Sequence, residues 1–216
     1  MSLSRRPYPT VEQGLLSRQQ LRKGLLDWRE SMPIEQHTAF TQSIGALLID
    51  QLSTLIATLR DTNKTNAQAP CIGVYWPIRG EPDLRHYYHA LINLGYRLAL
   101  PFIKTNIICG TANSYLTYAQ WVLGEPTITG KYGIEQPKVI IEIIPDLILA
   151  PCVGFDVKGY RLGYGAGYFD QTLKRQPIKT IGIAFAATQV DDLHPRPSDV
   201  RLNAILTESG VQSFSD

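Results

Sequence analysis

The chain has 216 residues, 44% of them hydrophobic and 19% charged, with 21 Lys plus Arg against 19 Asp plus Glu for a net charge of +2. That length suits one domain with a sizeable core, and the apolar share excludes disorder as a class. A charge this near zero leaves no electrostatic footprint for nucleic acid. No apolar run approaches the roughly 18 residues of a membrane span, so neither nucleic acid nor membrane is an expected partner.

Residues 1–10 contain Arg5-Arg6 with no apolar stretch after them, which reads as a flexible tail rather than an export signal, and one domain is expected over 11–216. Over 11–28, Leu15, Leu16, Leu21, Leu25, Leu26 and Trp28 recur at helical intervals. Arg18, Arg22 and Arg29 take the opposite or flanking positions, and Arg18 with Arg22 is a solvated face when read alone. Ser31-Met32-Pro33 breaks that helix, and a second one runs from Pro33 to about residue 59 with Phe40, Ile44, Leu48, Leu52 and Leu55 in its stripe. A polar linker follows at 61–70.

Strands are expected at 71–76, 96–102, 115–122, 138–144 and 146–150, then at 179–185 and 203–207 as the last two. Helices are expected at 82–94, capped by Gly95, and at 168–174. Strands that alternate with helices and are apolar on both faces give an α/β class: a single three-layer α/β/α domain with a mostly parallel sheet and the two N-terminal helices packed on it. Cys71, Cys109 and Cys152 are odd in number and widely spaced, so neither a disulfide framework nor a zinc site is suggested. A cytoplasmic, monomeric protein is expected, with Cys152 as a small buried hydrophobe.

The chemistry concentrates between residues 147 and 173. A strand ends at Pro151, a loop with five glycines spans 153–167, and a helix starts near Tyr168. In open α/β sheets ligands bind outside the carboxyl ends of strands, and backbone N–H groups at a helix start attract phosphate. Gly163, Gly165 and Gly167 would let the backbone approach an anion closely, and Arg161 supplies a cation suited to phosphate. Asp170 is an oxygen ligand suited to Mg²⁺ carried by substrate phosphates. The spacing is neither the dinucleotide fingerprint nor a Walker A loop. From the residues alone, a nucleotide site with a metal stands beside a loop that merely turns a corner. His86 and His89 have no third ligand nearby and read as solvent-facing; His194-Pro-Arg-Pro197 reads as a structural turn, with a place near the phosphates through Arg196 as the alternative. Tyr115, Tyr118 and Trp121 either line an apolar slot or pack in the core.

The run from Gly154 to Asp170, GFDVKGYRLGYGAGYFD, resembles the signature of the 5-formyltetrahydrofolate cyclo-ligase family. The resemblance covers most of the chain, through Arg18-Gln-Gln-Leu21-Arg22, the stretch from Tyr75 to Glu81, Leu100-Pro101, and the stretch from Asp199 to Glu208. It implies ATP and Mg²⁺ as cofactors and a reduced folate as substrate, converted from 5-formyltetrahydrofolate to 5,10-methenyltetrahydrofolate with release of ADP and phosphate. By the same resemblance, Arg18 and Arg22 bind the ATP phosphates together with the loop Arg161, Leu162, Gly163, Tyr164, Gly165, Ala166, Gly167, Tyr168 and Phe169. Arg161 and Asp170 are the implied catalytic residues, Asp170 and Asp199 the implied metal ligands, and Trp76 and Glu81 the implied folate contacts. The chain departs from the family pattern at Gln171, where an arginine is usual, at Gln136-Pro137 with Glu135 displaced by one residue, and at Ser198 in place of a histidine. Those departures keep open a relative acting on another pterin or formyl compound; a non-catalytic folate- or nucleotide-binding protein is the other alternative, and the retained Arg161, loop glycines, Asp170 and Glu81 weigh against it.

Overall fold

The structure is a computed structural model in which residues 17–59, 69–108 and 111–214 are described. The expected tail, Leu15, Leu16, Cys109 and most of the 61–70 linker lie outside them. Ser17 and Gln20 close a capping box, each side chain taking the other's backbone N–H, and so start α1 (Arg18–Glu30). Residues 11–16, over which the helical spacing also runs, lie outside the described ones. After the break at Ser31–Pro33 comes α2 (Ile34–Leu59).

The rest of the chain alternates: β1 (Cys71–Gly73), a 3-10 turn (Leu84–Tyr87) running into α3 (Tyr88–Asn93), β2 (Arg97–Ile108), β3 (Thr111–Trp121), β4 (Thr127–Thr129), β5 (Glu135–Pro137), β6 (Glu142–Ile143), β7 (Leu147–Pro151), β8 (Gly154–Asp156), β9 (Arg161–Leu162), α4 (Tyr168–Arg175), β10 (Lys179–Ile183), β11 (Gln189–Val190), β12 (Ala204–Thr207) and β13 (Gly210–Ser213). Eight strands form the large sheet in the order β13-β12-β10-β7-β1-β2-β3-β6. The five from β12 to β2 are parallel, and antiparallel strands close both edges.

Alternation along these strands builds two cores. Leu98, Leu100, Leu147, Leu149, Ile181, Ile183, Ala204 and Leu206 face Ile44, Leu48, Leu52 and Leu55 of α2 together with Tyr88 and Leu91 of α3. Ala99, Ile148, Ala150 and Ile205 face the other way, onto Tyr118, Phe155, Leu173 and Leu202. Each of the leucines and isoleucines contributes about 1.5–3 kcal/mol on burial; α2 and α3 cover the first face, and Leu173 of α4 packs on the second. The α1 helix packs Leu21, Leu25 and Leu26 on Val153, Leu162, Val190 and Leu193, which belong to the small sheet β11-β8-β9 and its flanks, while Trp28 at its end reaches the α2 core. Among the described residues no helix is long and apolar enough to cross a membrane.

Several expected elements change shape. The strand expected at 71–76 stops at Gly73 because the chain then turns across the carboxyl end of the sheet, with Arg79 and Gly80 at positive φ. The helix expected at 82–94 opens as a 3-10 turn, since the Asp83 carboxylate captures the Arg85 N–H at 3.1 Å. Of the β-branched run 138–144, Glu142 and Ile143 alone form a strand, at the sheet edge, and Val139, Ile140, Ile141 and Ile144 are exposed. The glycine-rich stretch 153–167 is not a plain loop. It contains the β8–β9 hairpin, whose buried Asp156 carboxylate accepts the N–H groups of Lys158, Tyr160 and Leu193 at 2.9–3.2 Å. Finally, 203–207 is not the last strand: β13 returns from it through Gly210, at φ 127°.

Candidate functional site

The parallel sheet reverses its winding between β1 and β7: β1 leads outward through α3 to β2, and β7 leads the other way through α4 to β10. Loops leaving the two strands must part there, and ligands of open α/β sheets settle in that crevice. A cleft of about 1230 Å³ occupies it. Its walls come from the β1 loop (Tyr75, Trp76, Ile78, Arg79, Glu81), from Arg18 and Arg22 of α1, and from Arg161 and the stretch Gly163 to Gln171. Arg196, Ser198 and Asp199 close one end, and Tyr132 and Ile134 of the β4–β5 hairpin overhang another.

Arg18 and Arg22 lie one turn apart on α1 and point into this cleft. Arg22 Nε donates to the Gly163 carbonyl at 2.6 Å, and Arg18 is hydrogen-bonded and ion-paired to Asp199. Arg22 is held below the ordinary arginine pKa, first by burial and then by the Arg18 and Arg196 charges. Three guanidiniums crowd one wall, an arrangement that an incoming polyanion relieves. Asp199 is pushed up by burial. Hydrogen bonds from Arg18 and the Arg196 N–H, and the two positive charges, outweigh that and hold its carboxyl below the usual range.

Of the three loop glycines, Gly165 and Gly167 take positive φ and Gly163 does not. Gly165 has φ 100°, and a Cβ there would stand 3.3 Å from the Arg22 guanidinium carbon; Gly167 is the left-handed N-cap of α4, at φ 71°. The α4 start therefore has no side-chain cap for its first N–H groups. Arg161 is buried. Its guanidinium lies 4.7 Å from the Phe169 ring centroid and donates to Asp170 Oδ2 at 3.0 Å, leaving its Nε without a partner. Asp170 Oδ1 accepts the Val200 N–H at 3.2 Å. The two carboxylates implied as metal ligands are thus each engaged with an arginine. Among the described residues no group of three or more His, Cys, Asp or Glu side chains could hold a metal ion.

On the opposite wall Trp76 packs edge-on against Trp121 at 6.2 Å, with Arg85, itself fixed by Asp83, 4.8 Å from the Trp76 ring centroid. Glu81 is 3% exposed; it accepts the Ile78 N–H at 3.0 Å and the Tyr164 hydroxyl at 2.6 Å. Burial pushes its carboxyl above the ordinary glutamate range, against the opposing pull of Arg29 and both hydrogen bonds. Of the aromatic slot considered from the sequence, Tyr118 lines the cleft, Trp121 backs Trp76, and Tyr115 sits under Arg175 at 4.3 Å, away from the cleft lining. His86, His89 and His194 are exposed, and Cys152 is buried with its thiol pushed up to about 12 by that burial.

Every residue expected at the site borders this cleft except Leu162, which packs into the α1 core instead. Gln171 and Ser198 line the cleft, whereas Gln136 does not. Arg29, placed from the sequence opposite or flanking the apolar stripe, is 2% exposed and donates to the Arg79 and Cys152 carbonyls and the Tyr164 hydroxyl. Its spacing from Arg18 and Arg22, i, i+4 and i+11, places all three on one helix face, the signal that could have found it. Arg196, of the His194–Pro197 turn, lines the cleft as well, and so does Lys174, which no motif marks.

The sequence pattern of the 5-formyltetrahydrofolate cyclo-ligase family matches residues 15–208. A 5-formyltetrahydrofolate cyclo-ligase of Mycolicibacterium smegmatis is 28% identical over 200 residues, 88% of this chain and 93% of the relative. The one from Haemophilus influenzae is 29% identical over 147 residues, 64% of this chain and 76% of the relative. The solved structure of a 5,10-methenyltetrahydrofolate synthetase from Aquifex aeolicus shares the fold with a TM-score of 0.74 at 24% identity, over 93% of this chain and 94% of that one. The family match takes in α1, the cleft and both loops of the switch point, and by it the chain belongs to the 5-formyltetrahydrofolate cyclo-ligase family.

Proposed function

We propose that the protein uses ATP and Mg²⁺ to convert 5-formyltetrahydrofolate into 5,10-methenyltetrahydrofolate, releasing ADP and phosphate. The observation that carries the reading is the division of one cleft into two chemistries. Arg18, Arg22 and Arg196 crowd together opposite an open glycine backbone, and Trp76 with the buried Glu81 stands across from them. The first wall suits a polyphosphate. The second suits a flat heterocycle with N–H donors, which stacks on the indole and donates to the carboxylate.

In this reading the γ-phosphoryl group moves to the formyl oxygen and leaves ADP. N10 then attacks the activated carbon and loses its proton, and the C–O bond breaks to release phosphate as the ring closes. The attacking groups belong to the substrates, so the protein acts by holding them in line and neutralising charge. Arg18, Arg22, Arg161 and the Gly163–Gly167 backbone receive phosphate oxygens, and Arg161 is fixed for this by Asp170 and Phe169. The donor set fits a magnesium ion carried in on phosphate, which needs only one or two protein carboxylates; Asp170 and Asp199 would hold it. When bound, the ion supplies charge neutralisation on the transferred group.

Absorbance growth from the methenyl product tests the reading. Wild type with 5-formyltetrahydrofolate should form it only when ATP and Mg²⁺ are both present. A folded protein that binds ATP and never forms that product belongs to the alternative acting on another pterin.

A further inference from the structure

The hydroxyl of Tyr164 joins two walls of the cleft that are far apart in sequence. It donates to Glu81 Oε1 at 2.6 Å and receives Nη2 of Arg29 at 2.6 Å, with the Arg29 guanidinium carbon 5.9 Å from its ring centroid. The direction of this chain is fixed by chemistry. A guanidinium only donates, so the phenol oxygen must accept from it, and the single phenol proton is left for the carboxylate.

Arg29 is the fixed point behind both loops. Its Nε donates at 2.9 Å to the carbonyl of Arg79, two residues before Glu81, and its Nη1 donates at 3.2 Å to the carbonyl of Cys152, just past the end of β7. The β1 loop carrying Trp76 and Glu81, and the β7 loop carrying the glycines, are therefore both tied to one buried side chain of α1. Tyr164 is the brace that runs from one to the other, and it sits between Gly163 and Gly165, inside the backbone that faces the arginines.

We propose that Tyr164 is a positioning residue that couples the folate side of the cleft to the phosphate side. The proposal rests on the functional reading above. A pterin that donates to Glu81 fixes that carboxylate, Glu81 fixes the Tyr164 hydroxyl, and Tyr164 fixes the Gly163–Gly167 backbone before the nucleotide arrives. The ordering entropy of the loop is then lost on the first binding step, and the second ligand meets a loop already set. Coupling between sites is reciprocal, so nucleotide binding tightens folate binding by the same factor.

The test is calorimetric titration of a non-hydrolysable ATP analogue with Mg²⁺, with and without saturating 5-formyltetrahydrofolate, on wild type and on Tyr164→Phe, which keeps the ring and removes the brace. Wild type should bind the analogue roughly tenfold more tightly when folate is present, within the common range for coupled sites. In Tyr164→Phe that factor should fall toward one, with the thermal midpoint showing that the variant is folded. Hydrogen exchange on wild type supplies a second arm: folate alone should slow the Gly163–Gly167 amides. Equal coupling in the two proteins, a uniform loss of both affinities with the factor intact, or loop amides indifferent to folate would each overturn the proposal while leaving the cyclo-ligase reading in place. A wild type that binds no folate would remove that reading and this proposal with it.

Discussion

Glu81 is a carboxylate that the fold buries beside two donors and within reach of a buried arginine, and its pKa stands above the ordinary 4.5. In stability terms an acid with a raised native pKa helps the folded state while protonated; that contribution is complete below 4.5 and is lost as pH rises through the native value. Function runs the other way, because an ionised Glu81 is the better acceptor for a pterin N–H. kcat/KM should therefore decline on the acid side with a midpoint above 4.5. Glu81→Gln should remove that limb and lower kcat/KM by about 10–100-fold, the 1.5–3 kcal/mol of a charged hydrogen bond. An unchanged acid limb in Glu81→Gln would assign the titration to another group.

The cations allow a sharper separation of binding from folding. Arg18 and Asp199 form a partly exposed pair, and Arg22 reaches a carbonyl, so their joint replacement by Ala should cost no more than about 1–2 kcal/mol of stability. ATP affinity should fall by about 10–100-fold for each charge-assisted hydrogen bond to phosphate that the replacement removes. Titration calorimetry beside a thermal melt reads both numbers, and unaltered ATP affinity would make the pair a solvated surface. Asp170 is different, because it is the partner of the buried Arg161. Asp170→Asn should reduce turnover, raise the magnesium requirement and cost on the order of 1–3 kcal/mol of stability. Full turnover at the wild-type magnesium requirement would move the metal ligand to Asp199.

At the scale of elements, two pieces of structure meet at the site with opposite mechanical characters. The α1 helix is anchored by Leu21, Leu25 and Leu26 against the small sheet and presents Arg18, Arg22 and Arg29 from the same face, between Leu25 and Leu26. The glycine loop has no such anchor, apart from Arg22 at the Gly163 carbonyl and Tyr164 at Glu81 and Arg29. Gly165→Val should cost activity far more than folding. Its Cβ would meet the Arg22 guanidinium, and φ 100° disfavours a β-branched residue, yet the residue itself is exposed. A folded valine variant with full ATP-dependent turnover would contradict the phosphate-cradle reading. The sequence marked this loop clearly, because glycine and arginine types report backbone and charge directly. It did not show that Arg29 is buried: that depends on the Arg79 and Cys152 carbonyls, 50 and 123 positions away. The exposed 138–144 run misled for a related reason. β-branched residues suit any pleated strand, and the sequence does not say whether a second layer covers them.

For the whole molecule, the alternation of strands and helices was enough to foresee a mostly parallel sheet, and that sheet has one place where its winding reverses. Both loops with chemically distinctive residues leave from that place, which is why one cleft receives Trp76, Glu81, Arg161 and Asp170 together. Less legible were the edges. β13 and the β8–β9 hairpin are short segments whose pairing is decided by partners rather than by their own pattern. If the two ligands of this cleft react with each other, the stoichiometry of a single incubation shows it. With 5-formyltetrahydrofolate, ATP and Mg²⁺, methenyl product, ADP and phosphate should accumulate one for one, with no ADP when the folate is left out. Methenyl product without ATP consumption, or steady ATP hydrolysis without methenyl product, would contradict it.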